Sequence, residues 1–188
     1  MATTADLTKG QVIKRENKLW FVTDVFFVSP GKGSAFYRVK FKEVTTGKII
    51  EVTLKSGTEI EMVDSERRNV QFLYKEGENF VLMDNENYEQ YSVDINVVGE
   101  SVAQFLKPEQ ALILFFAEGE PVNVSFQKQK LPFKIIEAEP GIKGDTANNS
   151  NRPVKIETGA MVNVPLFINQ GDEIIVNVET GEYCERVK

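Results

Sequence analysis

The sequence predicts an all-β protein built of three small barrels, and three observations predict it. Apolar and β-branched residues recur in short runs along the whole chain, bounded by turn residues. Only the stretch 101–106 carries a helical period, with Val102, Phe105 and Leu106 on one face. Polar joins near 64–68 and 128–131 divide the runs into three series, giving expected domains at 1–64, 65–129 and 130–188.

In the first series, Glu16-Asn17-Lys18 is a polar turn between Val12-Ile13 and an apolar run from Leu19 to Val28, with Trp20 expected in the core. A second run carries Phe36, Tyr37, Val39, Phe41 and Val44. Two such runs joined by a short Gly-containing loop read as a β-hairpin. The loop is Ser29-Pro30-Gly31-Lys32-Gly33-Ser34-Ala35. Pro30 sets its own φ and donates no ladder hydrogen bond. Gly31 and Gly33 permit backbone angles closed to other residues. They flank Lys32, which places a cation on the hairpin tip, where folding has no use for it. Turns at Thr45-Thr46-Gly47-Lys48 and Ser56-Gly57 bracket a further strand at 49–54, and strands this closely spaced suggest a small barrel.

The second series opens after a polar join at 62–69, with Val70-Gln71-Phe72-Leu73-Tyr74, and turns at Glu76-Gly77-Glu78-Asn79 into 80–83. Ser101 is the candidate cap of the helical stretch and Pro108 its stop. Strands at 111–116 and 122–126 follow, and strands with one intervening helix are compatible with an OB-type barrel. Phe72, Tyr74, Tyr88 and Tyr91 have the rings that stack on bases, although core packing is the commoner use of such residues. The third series begins at 131–138 and breaks at Pro140-Gly141. A polar loop at 141–153 is long enough to be mobile or functional. Strands are expected at 154–156, 161–164, 166–168 and 173–178, with a last one ending near Val187.

Composition excludes several chemistries. The chain has no histidine and a single cysteine, Cys184. Ser-His-Asp and Cys-His catalysis, His-ligated metal sites and an intrachain disulfide are therefore out of reach. No catalytic residue, cofactor or metal ligand is assigned. The segment 1–6 lacks the basic stretch and apolar core of a secretion signal, no run is as long as a membrane span, and one lone thiol suits a reducing cytoplasm. The net charge of −6 argues against a simple phosphate-binding protein. Its distribution is uneven: 10 basic against 8 acidic groups in 1–64, 5 against 11 in 65–128, and 7 against 9 in 129–188. Lys32, Arg38, Lys40, Lys42, Lys48 and Lys55 face only Glu43 and Glu51 in the same stretch. The hairpin is the most basic part of an acidic protein, which fits either a local contact with an anion or a solvated charged strand face.

The chain resembles bacterial elongation factor P nearly end to end. The tip Pro30-Gly31-Lys32-Gly33 with Ala35-Phe36 is similar to the family's tip. Further blocks are Gln71-Phe72-Leu73-Tyr74, Met83-Asp84 through Tyr88-Glu89-Gln90, Gly144-Asp145-Thr146-Ala147 and Glu157-Thr158-Gly159-Ala160. Val164-Pro165-Leu166-Phe167-Ile168, Gly171-Asp172 and Gly181-Glu182-Tyr183 with Arg186 complete the series. The resemblance implies an SH3-like (KOW-like) first barrel and two OB-like barrels in an L-shaped arrangement. It implies a monomeric, non-enzymatic cytoplasmic factor that binds both ribosomal subunits beside the peptidyl-tRNA and relieves stalling at consecutive prolines. Lys32 would meet the acceptor end of the peptidyl-tRNA. It would carry a covalent modification, lysylation of the β-lysyl type from a lysyl-tRNA-synthetase-like enzyme, or hydroxylation or another addition. Gly144, Asp145 and Thr146 would face the messenger, and Tyr183 and Arg186 the small subunit.

The chain departs from the family's common pattern at Ser29, Leu54 and Thr58 and in the Asn-rich stretch 147–151. Three alternatives stay open on the sequence. One is an elongation factor P-like paralogue with another role. Another is a non-ribosomal β-barrel adaptor with a merely solvated Lys32. The third is a carboxylate-using enzyme, for which spacing singles out no pair of acids.

Overall fold

Side chains alternate between the two faces of a strand, so each apolar–polar alternation in the sequence buries one face. The computed structural model describes residues 2–138 and 151–187, and there this patterning yields sixteen strands in three curled antiparallel sheets. The first contains β1 (Ala2–Thr3), β2 (Val12–Arg15), β3 (Lys18–Val28), β4 (Phe36–Glu43), β5 (Ile49–Lys55) and β6 (Glu59–Val63), in the order β1-β6-β2-β3-β4-β5. Glu16 and Asn17 both adopt positive φ, 53° and 59°, the two-residue turn whose twist suits a tight hairpin. The sheet curls around Leu7, Ile13, Trp20, Val22, Val39 and Phe41. Trp20 is buried, as expected, and donates from Nε1 to the Arg15 carbonyl at 3.2 Å.

The second sheet contains β7 (Ser65–Glu76), β8 (Asn79–Asp84), β9 (Gln90–Val93), β10 (Ala111–Ala117) and β11 (Glu120–Phe126), in the order β11-β10-β7-β8-β9. Two short helices, α1 (Ile95–Val98) and α2 (Glu100–Ala103), lie between β9 and β10. Two expectations are corrected here. The polar join at 62–69 is nearly all strand, with only Asp64 between β6 and β7. Residues 65–69 are held extended by pairing with 113–117 of β10, and their polar side chains mark a solvent-facing strand rather than a loop. The helical segment also starts earlier than its apolar period. Asp94 caps α1, accepting from the Asn96 and Val97 amides at 2.7 and 3.2 Å. Gly99, at φ 82°, interrupts the helix, and Ser101 lies inside α2 instead of capping it.

The third sheet contains β12 (Lys130–Glu137), β13 (Asn151–Ile156), β14 (Met161–Pro165), β15 (Glu173–Asn177) and β16 (Glu182–Arg186), in the order β14-β13-β12-β15-β16. Its core holds Phe133, Ile135, Ile156, Ile168 and Ile174. Residues 151–153, expected in a loop, are strand, paired with 163–165. Residues 166–168, expected as strand, turn instead: the Ile168 amide donates to the Pro165 carbonyl at 3.1 Å, so Ile168 is buried while Leu166 and Phe167 are exposed. The Pro140-Gly141 break lies outside the described residues.

The sheets are fastened by side chains that each lends to its neighbour. Val12 and Phe21 of the first pack with Phe115, Ala117 and Val122 of the second, and the Phe21 and Phe115 rings meet edge-on at 4.9 Å. Val12, Phe21 and Lys42 stand in register across β2, β3 and β4. Lys42 is only 5% exposed and donates from Nζ to the Val97 carbonyl at 2.7 Å and to Asn123 Oδ1 at 2.9 Å. Phe105, from the segment after α2, is buried in the third core, 5.7 Å from the Phe133 ring. Lys107 donates to the Pro132 carbonyl at 2.9 Å, and Lys9 pairs with Glu179 at 2.6 Å.

Burial lowers the Lys42 ammonium from 10.5 to about 8, against the opposing attraction of Asp94. Between these values the unfolded chain holds a proton that the folded chain has lost, so stability rises with pH. The Lys42 contribution should increase by about 3 kcal/mol from pH 8 to 10.5. Urea unfolding of the protein and of Lys42→Met across this window checks it: the difference between the two should grow with pH and stay flat below pH 8.

Candidate functional site

The loop joining β3 to β4 sits at the end of an arm three strands wide. Val28 pairs with Phe36, and Phe36 pairs with Lys55, so β5 accompanies the hairpin to its last rung. The Ala35 carbonyl accepts from the Ser56 amide at 3.2 Å, which ties the base of the tip to the turn after β5. Beyond this tie, residues 29–34 are exposed, and Pro30, Gly31, Lys32 and Gly33 stand together as expected. Gly33 takes φ +107°, a conformation that side chains rarely adopt. Gly31 has no such angle, and a Cβ there would meet nothing within 4 Å. Of the two glycines, Gly33 alone uses that freedom.

The two faces of the arm differ. Val25, Val39 and Val52 form one row, and Phe27, Tyr37 and Leu54 the next, on the face that continues the core. Farther from the core this face loses its cover: Phe27 is 58% exposed and stacks at a tilt on Tyr37, 5.0 Å between centroids. The other face carries the rows Asp24–Lys40–Glu51, Phe26–Arg38–Thr53 and Val28–Phe36–Lys55. There the Arg38 guanidinium lies over the Phe36 ring and the Lys40 ammonium over Phe26, each 6.0 Å from the centroid. An exposed surface that interleaves cations and rings offers point charges for phosphates and flat faces for bases. The period-two alternation Phe36, Arg38, Lys40 carried this signal in the sequence, but the opposing Phe26 required the register of the hairpin.

The other predicted site residues lie elsewhere. Tyr183 and Arg186 are on β16, the outer strand of the third sheet. Three residues apart, they would face opposite ways in a regular strand. A shift in register between Ile175 and Val176 sets Tyr183 opposite Val176 and Arg186 opposite Ile174, which brings them to one side. The Tyr183 ring packs against the third core, and the Arg186 Nη1 atom lies 3.8 Å from Asp172 Oδ2. Gly144, Asp145 and Thr146 fall outside the described residues.

The aromatic candidates of the middle barrel divide by burial. Phe72 is core, Tyr74 and Tyr88 are exposed, and Tyr91 is engaged. Its hydroxyl accepts from Arg68 at 2.7 Å and donates to Glu89 at 2.8 Å, while Arg68 covers the Phe116 ring at 5.3 Å. Burial, and then the bond to Glu89, raise the Tyr91 phenol above its ordinary value. Among the described residues no group of acids and cysteine is arranged to hold a metal ion, and no helix is long and apolar enough to cross a membrane.

Comparison with known proteins covers all three sheets. The elongation factor P KOW-like domain matches residues 3–60, the elongation factor P OB domain 65–124, and the elongation factor P C-terminal domain 132–186. Elongation factor P of Acidothermus cellulolyticus is 39% identical over 99% of this chain and 98% of its own length. That of Persephonella marina is 41% identical over 96% and 94%, and that of Coprothermobacter proteolyticus 40% over the whole of both chains. The three domain types occur in the same order as the three sheets, and the likeness to whole proteins runs through all of them: the chain belongs to the elongation factor P family.

Proposed function

We propose that this translation elongation factor binds the ribosome beside the peptidyl-tRNA and speeds peptide-bond formation at consecutive prolines. The observation that carries the proposal is Lys32, an exposed cation on a glycine-flanked tip at the end of a stiff three-stranded arm. Proline is a poor reactant because its ring restricts φ and constrains the chain near the reacting centre. Peptide-bond formation depends on a near-attack geometry. A protein that fixes the acceptor end of the peptidyl-tRNA restores that geometry without donating a proton of its own. The factor is therefore not an enzyme in this account. Lys32 offers three donors to phosphate and sugar oxygens, and a covalent extension by a lysyl-tRNA-synthetase-like enzyme lengthens its reach. The cation–ring face of the arm follows the RNA behind it. Gly144, Asp145 and Thr146 contact the messenger, Tyr183 and Arg186 the small subunit, and the protein works as a cytoplasmic monomer.

Lys32→Ala should leave ribosome binding largely intact and abolish selective stimulation of a reporter with three consecutive prolines. In vitro translation of that reporter beside a proline-free one is the measurement. Equal stimulation by wild type and variant would remove Lys32 from the mechanism. Asp145→Ala and Arg186→Ala should each weaken co-sedimentation with ribosomes, and unchanged binding by both would refute their docking role.

The tip glycines give a separate expectation. Gly33→Ala forces a side chain into the left-handed region at a cost of about 1–2 kcal/mol, so the loop reshapes around Lys32. Gly31→Ala meets no such barrier. The proline reporter should respond poorly to Gly33→Ala and nearly normally to Gly31→Ala.

A further inference from the structure

The arm must leave the protein in one direction for Lys32 to reach a fixed target, and the contacts that set this direction lie at its root. There the row Val12, Phe21 and Lys42 is buried beneath the middle barrel. Resting on the function proposed above, we propose that Lys42 is a positioning residue that fixes the angle between the arm and the middle barrel, acting on Lys32 through β4.

The apolar part of this interface holds the barrels together but fixes their angle less sharply than directional bonds do. Contact of Phe21 with Phe115, flanked by Val12, Ala117 and Val122, is favourable over a range of relative rotations because the hydrophobic effect is non-directional. Lys42 differs in kind. Its ammonium donates to two acceptors on separate elements, the Val97 carbonyl of α1 at 2.7 Å and the Asn123 side-chain oxygen of β11 at 2.9 Å. Charge-assisted hydrogen bonds of this length are strong and directional. Both acceptors are themselves held. Asp94 caps α1, and the Asn123 amide nitrogen donates to the Val124 carbonyl at 3.2 Å. Beside them the turn after β4 seats directly on α1: a Cβ on Gly47 would lie 3.3 Å from both the Asn96 Cα and carbonyl oxygen.

A buried ammonium is a costly way to fasten two surfaces, and an apolar residue of similar length adheres at lower cost. What the lysine adds is a fixed angle. Phe36 lies six residues along β4 from Lys42, about 20 Å at the rise of a strand. A tilt of about 10° at the root moves the end of such a lever by about 3.5 Å, as far as a whole hydrogen bond. Misplacement of a positioning group by even about 1 Å can cost on the order of a hundredfold in rate.

The test reads the angle and the activity separately. In a Cys184→Ser background, spin labels on Thr53→Cys and Glu78→Cys, both exposed positions, report the distance between the arm-bearing sheet and the middle barrel. Lys42→Met and, with the lysine kept, Asn123→Ala should each broaden the distance distribution of the folded protein. Each should lower stimulation of the triple-proline reporter about tenfold at saturating factor, with Lys32 unchanged. A purely stabilising role would lower the folded fraction without broadening the distances. Distributions as narrow as the parent's in both variants overturn the proposal. So does a broadened distribution with full stimulation while Lys32→Ala remains inactive. Should Lys32→Ala itself prove fully active, the functional reading fails, and the distances alone decide whether Lys42 holds the angle. Asn123→Ala decides the matter if Lys42→Met does not fold.

Discussion

The edge-on meeting of Phe21 and Phe115 is the joint on which the molecule depends. A barrel of about sixty residues buries too little of its surface to be more than marginally stable alone. Here each barrel enlarges its burial by sharing side chains. The middle one is the hub, lending Phe115, Ala117 and Val122 to the first and Phe105 to the third. Lys9 paired with Glu179 closes a further link between the first and third, which a simple chain of domains would lack. The same burial that makes each barrel fold also holds the barrels to one another.

Charge is arranged around that joint with economy. Six basic residues run from Lys32 to Lys55, these two included, yet they are not one electrostatic surface. Lys42 is turned into the interface, and Lys40 and Arg38 are drawn onto aromatic rings along the arm. The acidic middle barrel keeps Arg68 for itself, between Glu66, Tyr91 and Phe116. An overall acidic protein can therefore present a short cationic arm while the rest of its surface disfavours indiscriminate binding to nucleic acid.

Much of this was legible in the sequence where a local rule decides the outcome. Glu16-Asn17, Gly47, Gly57 and Gly77 turn the chain where composition placed turns, and Trp20 is core. Residues 29 to 34, rich in Pro and Gly, form the exposed loop between β3 and β4. Misreadings arose where partners distant in sequence decide. Residues 65–69 are polar and yet extended because β10 pairs with them. Residues 166–168 are apolar and yet a turn because only Ile168 has a core to enter. Lys42 looked like one more solvated lysine, since nothing nearby in the sequence announces Val97 or Asn123 as its acceptors. The common side of Tyr183 and Arg186 likewise depends on a bulge that spacing does not reveal.

Phe105 carries a consequence for biosynthesis. It belongs to the middle barrel in sequence but is 1% exposed only because the third barrel surrounds it. As the polypeptide emerges from its own ribosome, the middle barrel is complete at β11, while the third core that covers that ring runs on to Val178. During this interval a full phenylalanine side chain faces water, and about 2–3 kcal/mol of burial is withheld. The nascent middle barrel is therefore at its stickiest just before the last third of the chain arrives, and closure of the third barrel removes the hazard by capping the second.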